Sequence, residues 1–124
     1  MIKNAILVFL GGGLGSIFRY LISKALNNTA LSIPYGTLTA NILGSLIIGF
    51  VLGTAIKYDS LNSSLYLLFG VGFCGGFTTF STFAFENQAL LRSGDYFHFG
   101  VYAFGSLLLG ISAVIFGIFC SKFA

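Results

Sequence analysis

"GFCGGFTTFSTF", Gly72 to Phe83, is the stretch on which the fold turns. It carries three glycines, five apolar side chains without hydroxyls and four hydroxyl residues, Thr78, Thr79, Ser81 and Thr82. It lies inside one of the most apolar parts of the chain. A helix crossing lipid must satisfy every backbone polar group internally. A glycine pair followed by a hydroxyl cluster works against that, because adjacent glycines weaken a helix and Thr78 or Thr79 can cap a new one. The spacing therefore predicts two half-helices meeting near the middle of a span.

The rest of the chain supplies the lipid context. Of 124 residues 56% are hydrophobic and 7% are charged, and the mean hydropathy is +0.97. Soluble domains carry about a quarter charged residues, so such a surface belongs in a bilayer. Hydropathy divides the chain into four segments of roughly the 20 residues a membrane requires: about 5–22, 34–56, 65–91 and 99–120. Pro34 suits the start of the second. The connections "SKALNNTALSI", "KYDSLNSS" and "RSGDYFH" leave no room for a soluble domain. The fold class is an all-α membrane protein, one four-helix domain over 1–124, with its third helix broken. The first segment has no small-residue cleavage site and reads as a retained helix.

The net charge of +3 forms no basic patch, and nucleic acid is not an expected partner. Cys74 and Cys120 lie in apolar segments without CxxC spacing and read as small buried hydrophobes. The Lys/Arg tally, which sets orientation, is even. Lys3, Lys57 and Lys122 fall on one side, and Arg19, Lys24 and Arg92 on the other. Two readings follow: insertion in both orientations with antiparallel pairing, or one charge near the first helix that decides. The GxxxG pairs Gly11–Gly15, Gly49–Gly53 and Gly72–Gly76 favour a tightly packed homo-oligomer.

Polar residues recur at helical spacing. The second span has Thr37, Asn41, Ser45, Gly49 and Gly53 four apart, and the fourth has Tyr102, Ser106 and Gly110. The first offers Gly12, Ser16, Arg19 and Ser23 on one face. The Asn41 amide in hydrocarbon needs a partner, either another helix or a solute. Arg19 snorkels to the interface or pairs with Glu86, which alternatively lines a water-filled mouth; an ionisable group in a span is a functional candidate. Asp59, Asp95 and His98 read as solvated loop residues. Phe80 and Phe83, three apart, share a face of the second half-helix. They either pack or present weakly positive ring edges to a small anion, while the first half-helix offers carbonyls suited to a cation.

With "GGGLGSIFRY" and "PYGTLTANILGSLIIGF", this stretch, extended to "GFCGGFTTFSTFAFE", makes the whole chain resemble the Fluc/CrcB fluoride channels. The resemblance implies a dual-topology, antiparallel homodimer in a prokaryotic cell membrane, passively exporting fluoride and not acting as an enzyme. It implies a structural sodium ion held by the carbonyls of Gly75 and Thr78. It also implies a fluoride pathway through Asn41, Phe80 and Phe83, with Ser81, Thr37, Tyr102 and Ser106 along it; Arg19 and Glu86 match charged family positions. Family members often carry a second serine one turn past Ser106, where this chain has Gly110. Two other readings compete. A small dual-topology multidrug transporter needs a carboxylate in its first span, and "AILVFLGGGLGSIFRYLI" has none. A structural membrane subunit explains the glycines but not the break with its Asn and Phe set.

Overall fold

The computed structural model describes all residues, Met1–Ala124, in four apolar rods. The first two spans are α1 (Ile2–Leu26) and α2 (Tyr35–Lys57). The third begins as a π-helix, Tyr66–Cys74, which runs into one α-helical turn, α3 (Gly75–Phe77). After an interruption at Thr78–Phe80 it resumes as α4 (Ser81–Arg92), and α5 (Tyr96–Ser121) is the fourth. All four spans are long and apolar enough to cross a bilayer, with mean hydropathies of 1.8, 1.8, 1.4 and 2.3. The third is lowest because the hydroxyl cluster falls within it. This is a multi-pass membrane protein.

Burial is inverted relative to a soluble domain. The buried apolar residues are few and mostly small (Ala40, Ala55, Cys74, with Phe77 and Tyr102), while large residues such as Phe9, Leu108 and Ile115 stand outside. Lipid is as apolar as leucine, so helices associate here through close packing and polar contacts rather than through a hydrophobic drive.

That packing uses glycine. α1 lies along the π-helix and α3, and α2 lies along α5. A Cβ at Gly11 would sit 2.9 Å from Phe73 N, and one at Gly76 would sit 2.9 Å from Gly12 C. Between α2 and α5, a Cβ at Gly49 would come within 3.0 Å of Val114 C, and one at Gly117 within 2.8 Å of Phe50 N. Backbone touches backbone at both crossings. The three GxxxG pairs are therefore spent inside the protomer, not on the contact between copies that their spacing suggested.

Helix ends explain where the spans stop. Pro34 precedes α2, and its carbonyl accepts the Leu38 N–H. Asn27, just past α1, accepts the N–H groups of Gly36 (2.6 Å) and Thr37 (3.2 Å) with its Oδ1. The end of the first span thereby caps the start of the second. Gly94, at φ +80, turns the chain between α4 and α5, and Asp95 caps α5 by accepting the His98 N–H.

Candidate functional site

The interruption in the third span begins two residues after the glycine pair. Gly75 and Gly76 remain helical, and Thr78 is the residue that turns extended (φ −93, ψ 159). Gly76 serves close approach to α1, whereas a Cβ at Gly75 would meet nothing within 4 Å. Thr78 ends the first half by donating both its N–H (3.0 Å) and its hydroxyl (2.8 Å) to the Cys74 carbonyl. Thr79 opens the second half, its Oγ1 accepting the Thr82 N–H at 3.2 Å.

Two side chains from other spans hold the break. Asn41 of α2 accepts the Thr79 N–H with Oδ1 (2.8 Å) and donates Nδ2 to the Thr79 carbonyl (3.1 Å). That diverts the amide that would otherwise close a turn onto the Gly75 carbonyl. Arg19 of α1 donates Nε to the Gly76 carbonyl at 3.0 Å, and Ser16 Oγ lies 3.5 Å from the same oxygen. The carbonyls of Gly75, Phe77 and Thr78 accept nothing within the chain, and the N–H groups of Phe80, Ser81 and Phe83 donate to nothing. A carbonyl-rich end and an amide-rich end thus face each other at the break.

A groove of about 530 Å³ opens beside the break, along Gly75, Thr78, Phe80 and Phe83 but not Phe77 or Ser81. Asn41, Ser45, Gly75, Thr78, Phe80, Phe83 and Ser106 line it. Ser106 Oγ is buried with no partner, a hydroxyl available to a solute or water. Phe80 is 80% exposed and stands at the mouth of the groove. Its ring lies 6.2 Å from that of Phe83, and Phe83 lies 5.1 Å from Tyr102. Ser81 lies outside the groove, exposed, with its Oγ 3.4 Å from Thr79 Oγ1.

Thr37 and Tyr102 do not line the groove. They hold Glu86: Thr37 Oγ1 donates to Oε2 at 2.8 Å and Tyr102 OH to Oε1 at 2.7 Å. Asn27 Nδ2 completes the set by donating to Thr37 Oγ1 at 3.2 Å. Glu86 in turn borders a second cavity of about 490 Å³, with Asn28, Ser32, Ser93 and Asp95 around it. Glu86 thus borders a cavity and forms no ion pair with Arg19. Arg19 instead turns its Nε inward to the Gly76 carbonyl. The one ion pair is His98 with Asp95, at 2.9 Å beside this cavity. The His98 side chain, hydrogen-bonded to it, holds the Asp95 carboxyl below its usual range. Asn27 was missed from the sequence; its position directly after the first span, in "KALNN", was the available signal.

No three His, Cys, Asp or Glu side chains gather at any point, so any cation at the break has backbone, hydroxyl and Asn41 amide oxygen to use. The two carbonyls that the family resemblance implies as cation ligands, those of Gly75 and Thr78, are among the three left free. Oxygen donors of this kind suit a hard cation.

A family model described as CrcB-like protein, Camphor Resistance (CrcB), matches residues 6–118. The chain belongs to the CrcB family. CrcB relatives align over nearly their whole length. A "fluoride-specific ion channel FluC" of Phocaeicola vulgatus is 44% identical over 97% of this chain and 99% of its own. A protein of the same description from Gloeothece citriformis is 47% identical over 94% and 95%, and one from Bacteroides fragilis 45% over 93% of each. The resemblance read from "GFCGGFTTFSTFAFE" and its companion motifs is thus a family relation that spans the CrcB fold.

Proposed function

We propose that this protein is a fluoride channel that lets the anion leave the cytoplasm passively, and that two copies form it. The observation that carries this reading is the groove at the break. Asn41, the unpartnered Ser106 hydroxyl and the rings of Phe80 and Phe83 line it, beside the free N–H groups of Phe80 and Phe83. Fluoride is small and strongly hydrated, so a dry path must replace its water with donors. Neutral donors at moderate strength allow an ion to bind and still leave. The Asn41 amide has two N–H groups and gives one to Thr79, which leaves the second for the anion. The phenyl edges add weak, uncharged contacts. Hydrogen fluoride crosses membranes as a neutral acid and dissociates inside. A passive route then suffices, driven by the gradient and a negative-inside potential.

Pairing follows from what a single copy leaves open. Free backbone groups and the exposed Phe80 lie within a membrane span, where lipid cannot satisfy them. A second copy covers them, and the even charge tally supports an antiparallel arrangement in a prokaryotic cell membrane. The Gly75 and Thr78 carbonyls are the residues that would hold a structural sodium ion, which would neutralise the carbonyl ends at the centre of the pair. Thr37, Tyr102 and Glu86 belong to the approach from the outer cavity, with Ser81 near the amide end. Liposomes holding only this protein should release fluoride far faster than empty ones under a potassium-clamped potential. Release no faster than from empty liposomes overturns the proposal.

A further inference from the structure

We propose that Arg19 is a positioning residue of the break, acting through its Nε–H and not through its charge. A guanidinium kept in a membrane span is normally matched by an acid or a ligand. This one is not: both Glu86 oxygens take hydrogen bonds from Thr37 and Tyr102, and Asp95 belongs to His98. What Arg19 does have is the Gly76 carbonyl, 3.0 Å from Nε. That carbonyl sits in α3, the last turn before the chain becomes extended, and so has no helical amide to bond.

The reach of Arg19 is fixed by main chain. Its helix meets α3 so closely that a Cβ at Gly76 would fall 2.9 Å from Gly12 C, and one at Gly15 would fall 2.8 Å from Phe77 N. One helical turn on, Arg19 therefore arrives at Gly76 with little freedom. The break is gripped from two sides, Gly76 by Arg19 and Thr79 by Asn41. Arg19 withholds one carbonyl and fixes the direction of its neighbours, and the Gly75 and Thr78 carbonyls remain open between the two grips.

Side-chain geometry separates donor from charge. Glutamine places Nε2 the same number of bonds from the backbone as arginine Nε, without the charge. Lysine keeps the charge but puts methylene at that position and its amine one atom beyond. Methionine has neither donor nor charge at similar length. Two readouts apply to Arg19→Gln, Arg19→Lys and Arg19→Met in lipid nanodiscs and liposomes. Amide hydrogen exchange over 74–84, referred to α5, reads the break itself. Fluoride efflux rests on the channel reading above. Losing this hydrogen bond should speed exchange in that segment several-fold, up to about tenfold, in Arg19→Met. Efflux should fall by a similar factor, Arg19→Gln should stay near the parent in both, and Arg19→Lys should side with methionine. A lysine variant at parent level with a defective glutamine variant overturns the assignment in favour of charge. Three parent-like variants, or three equally defective ones, overturn it as well. If the methionine variant fails to assemble, the glutamine–lysine comparison alone decides. A parent that passes no fluoride sinks the channel reading, while the exchange pattern still tests Arg19.

Discussion

Gly15 and Gly13 stand two residues apart in "GGGLG" and should respond to alanine in opposite directions. A Cβ at Gly15 would overlap the Phe73 carbonyl oxygen and lie 2.8 Å from Phe77 N and 3.0 Å from Phe73 C, where ordinary contact is 3.4–4 Å. Every one of those neighbours is backbone, so no side chain can rotate away. The two helices must part by at least half an ångström along their crossing. Overpacking of this kind costs about 3 kcal/mol, the upper end of the usual range. A Cβ at Gly13 meets nothing within 4 Å, and alanine there gains roughly 0.5–1 kcal/mol of helix stability. Cys74, buried at 4% exposure, directly follows Phe73 of this crossing in the chain, so opening of the segment exposes it. In a Cys120→Ser background, maleimide labelling of Cys74 in detergent micelles reads the open population. Gly15→Ala should label roughly a hundredfold faster than the parent, and Gly13→Ala at the parent rate or slower. Equal labelling of the two variants would refute the claim that backbone contact governs this crossing.

Four further outcomes are expected. Phe80→Ile and Phe83→Ile keep apolar bulk, costing about 1.5 kcal/mol or less of stability, yet should sharply reduce fluoride efflux from assembled protein; normal efflux returns both rings to simple packing. Gly75→Val has free space within one copy, so it should keep the protomer helical by circular dichroism but weaken pairing on size exclusion if the break lies between two copies; an undiminished dimer argues against that centre. A tag on the C-terminus should be reached by impermeant label from both sides of the membrane, and labelling from one side only excludes dual insertion. Asp95→Asn should lower the thermal midpoint at neutral pH. The deficit should begin to shrink as pH falls below about 4 and vanish below the lowered Asp95 pKa, because a carboxyl depressed by His98 stabilises only while ionised; a deficit constant from pH 7 to 3 would rule that cause out.

The four spans were legible because apolar length is a property of the chain itself. Their ends were less so. α1 continues through Ser23 and Lys24, since a helix leaving lipid keeps its hydrogen bonds until something caps the next element, here Asn27. The existence of a break was readable from "GGFTT", but its position was not. The amide that leaves the helix is that of Thr79, drawn off by Asn41 from 38 residues away. The π-helix of Tyr66–Cys74 left no signal in the sequence; it is the part of the third span that lies along α1. Glycine spacing marked the faces that pack but not their partners, and so the pairs read as contacts between copies turned out to be internal. Asn41, Phe80, Phe83 and Ser106 do share one groove, while Thr37 and Tyr102 surround Glu86, a grouping that no spacing within one helix reveals.

The two donors that grip the break, on Arg19 and Asn41, both come earlier in the chain than the break itself. Synthesis runs from the N-terminus, so both are in the membrane before Gly76 and Thr79 emerge from the ribosome. The least apolar span, mean hydropathy 1.4, therefore enters a bilayer that already offers its polar groups a place to bond. The reverse order would leave those groups waiting in lipid for a helix not yet made. The sequence of the spans along the chain thus doubles as an order of assembly, with the broken span arriving after the two donors that grip it.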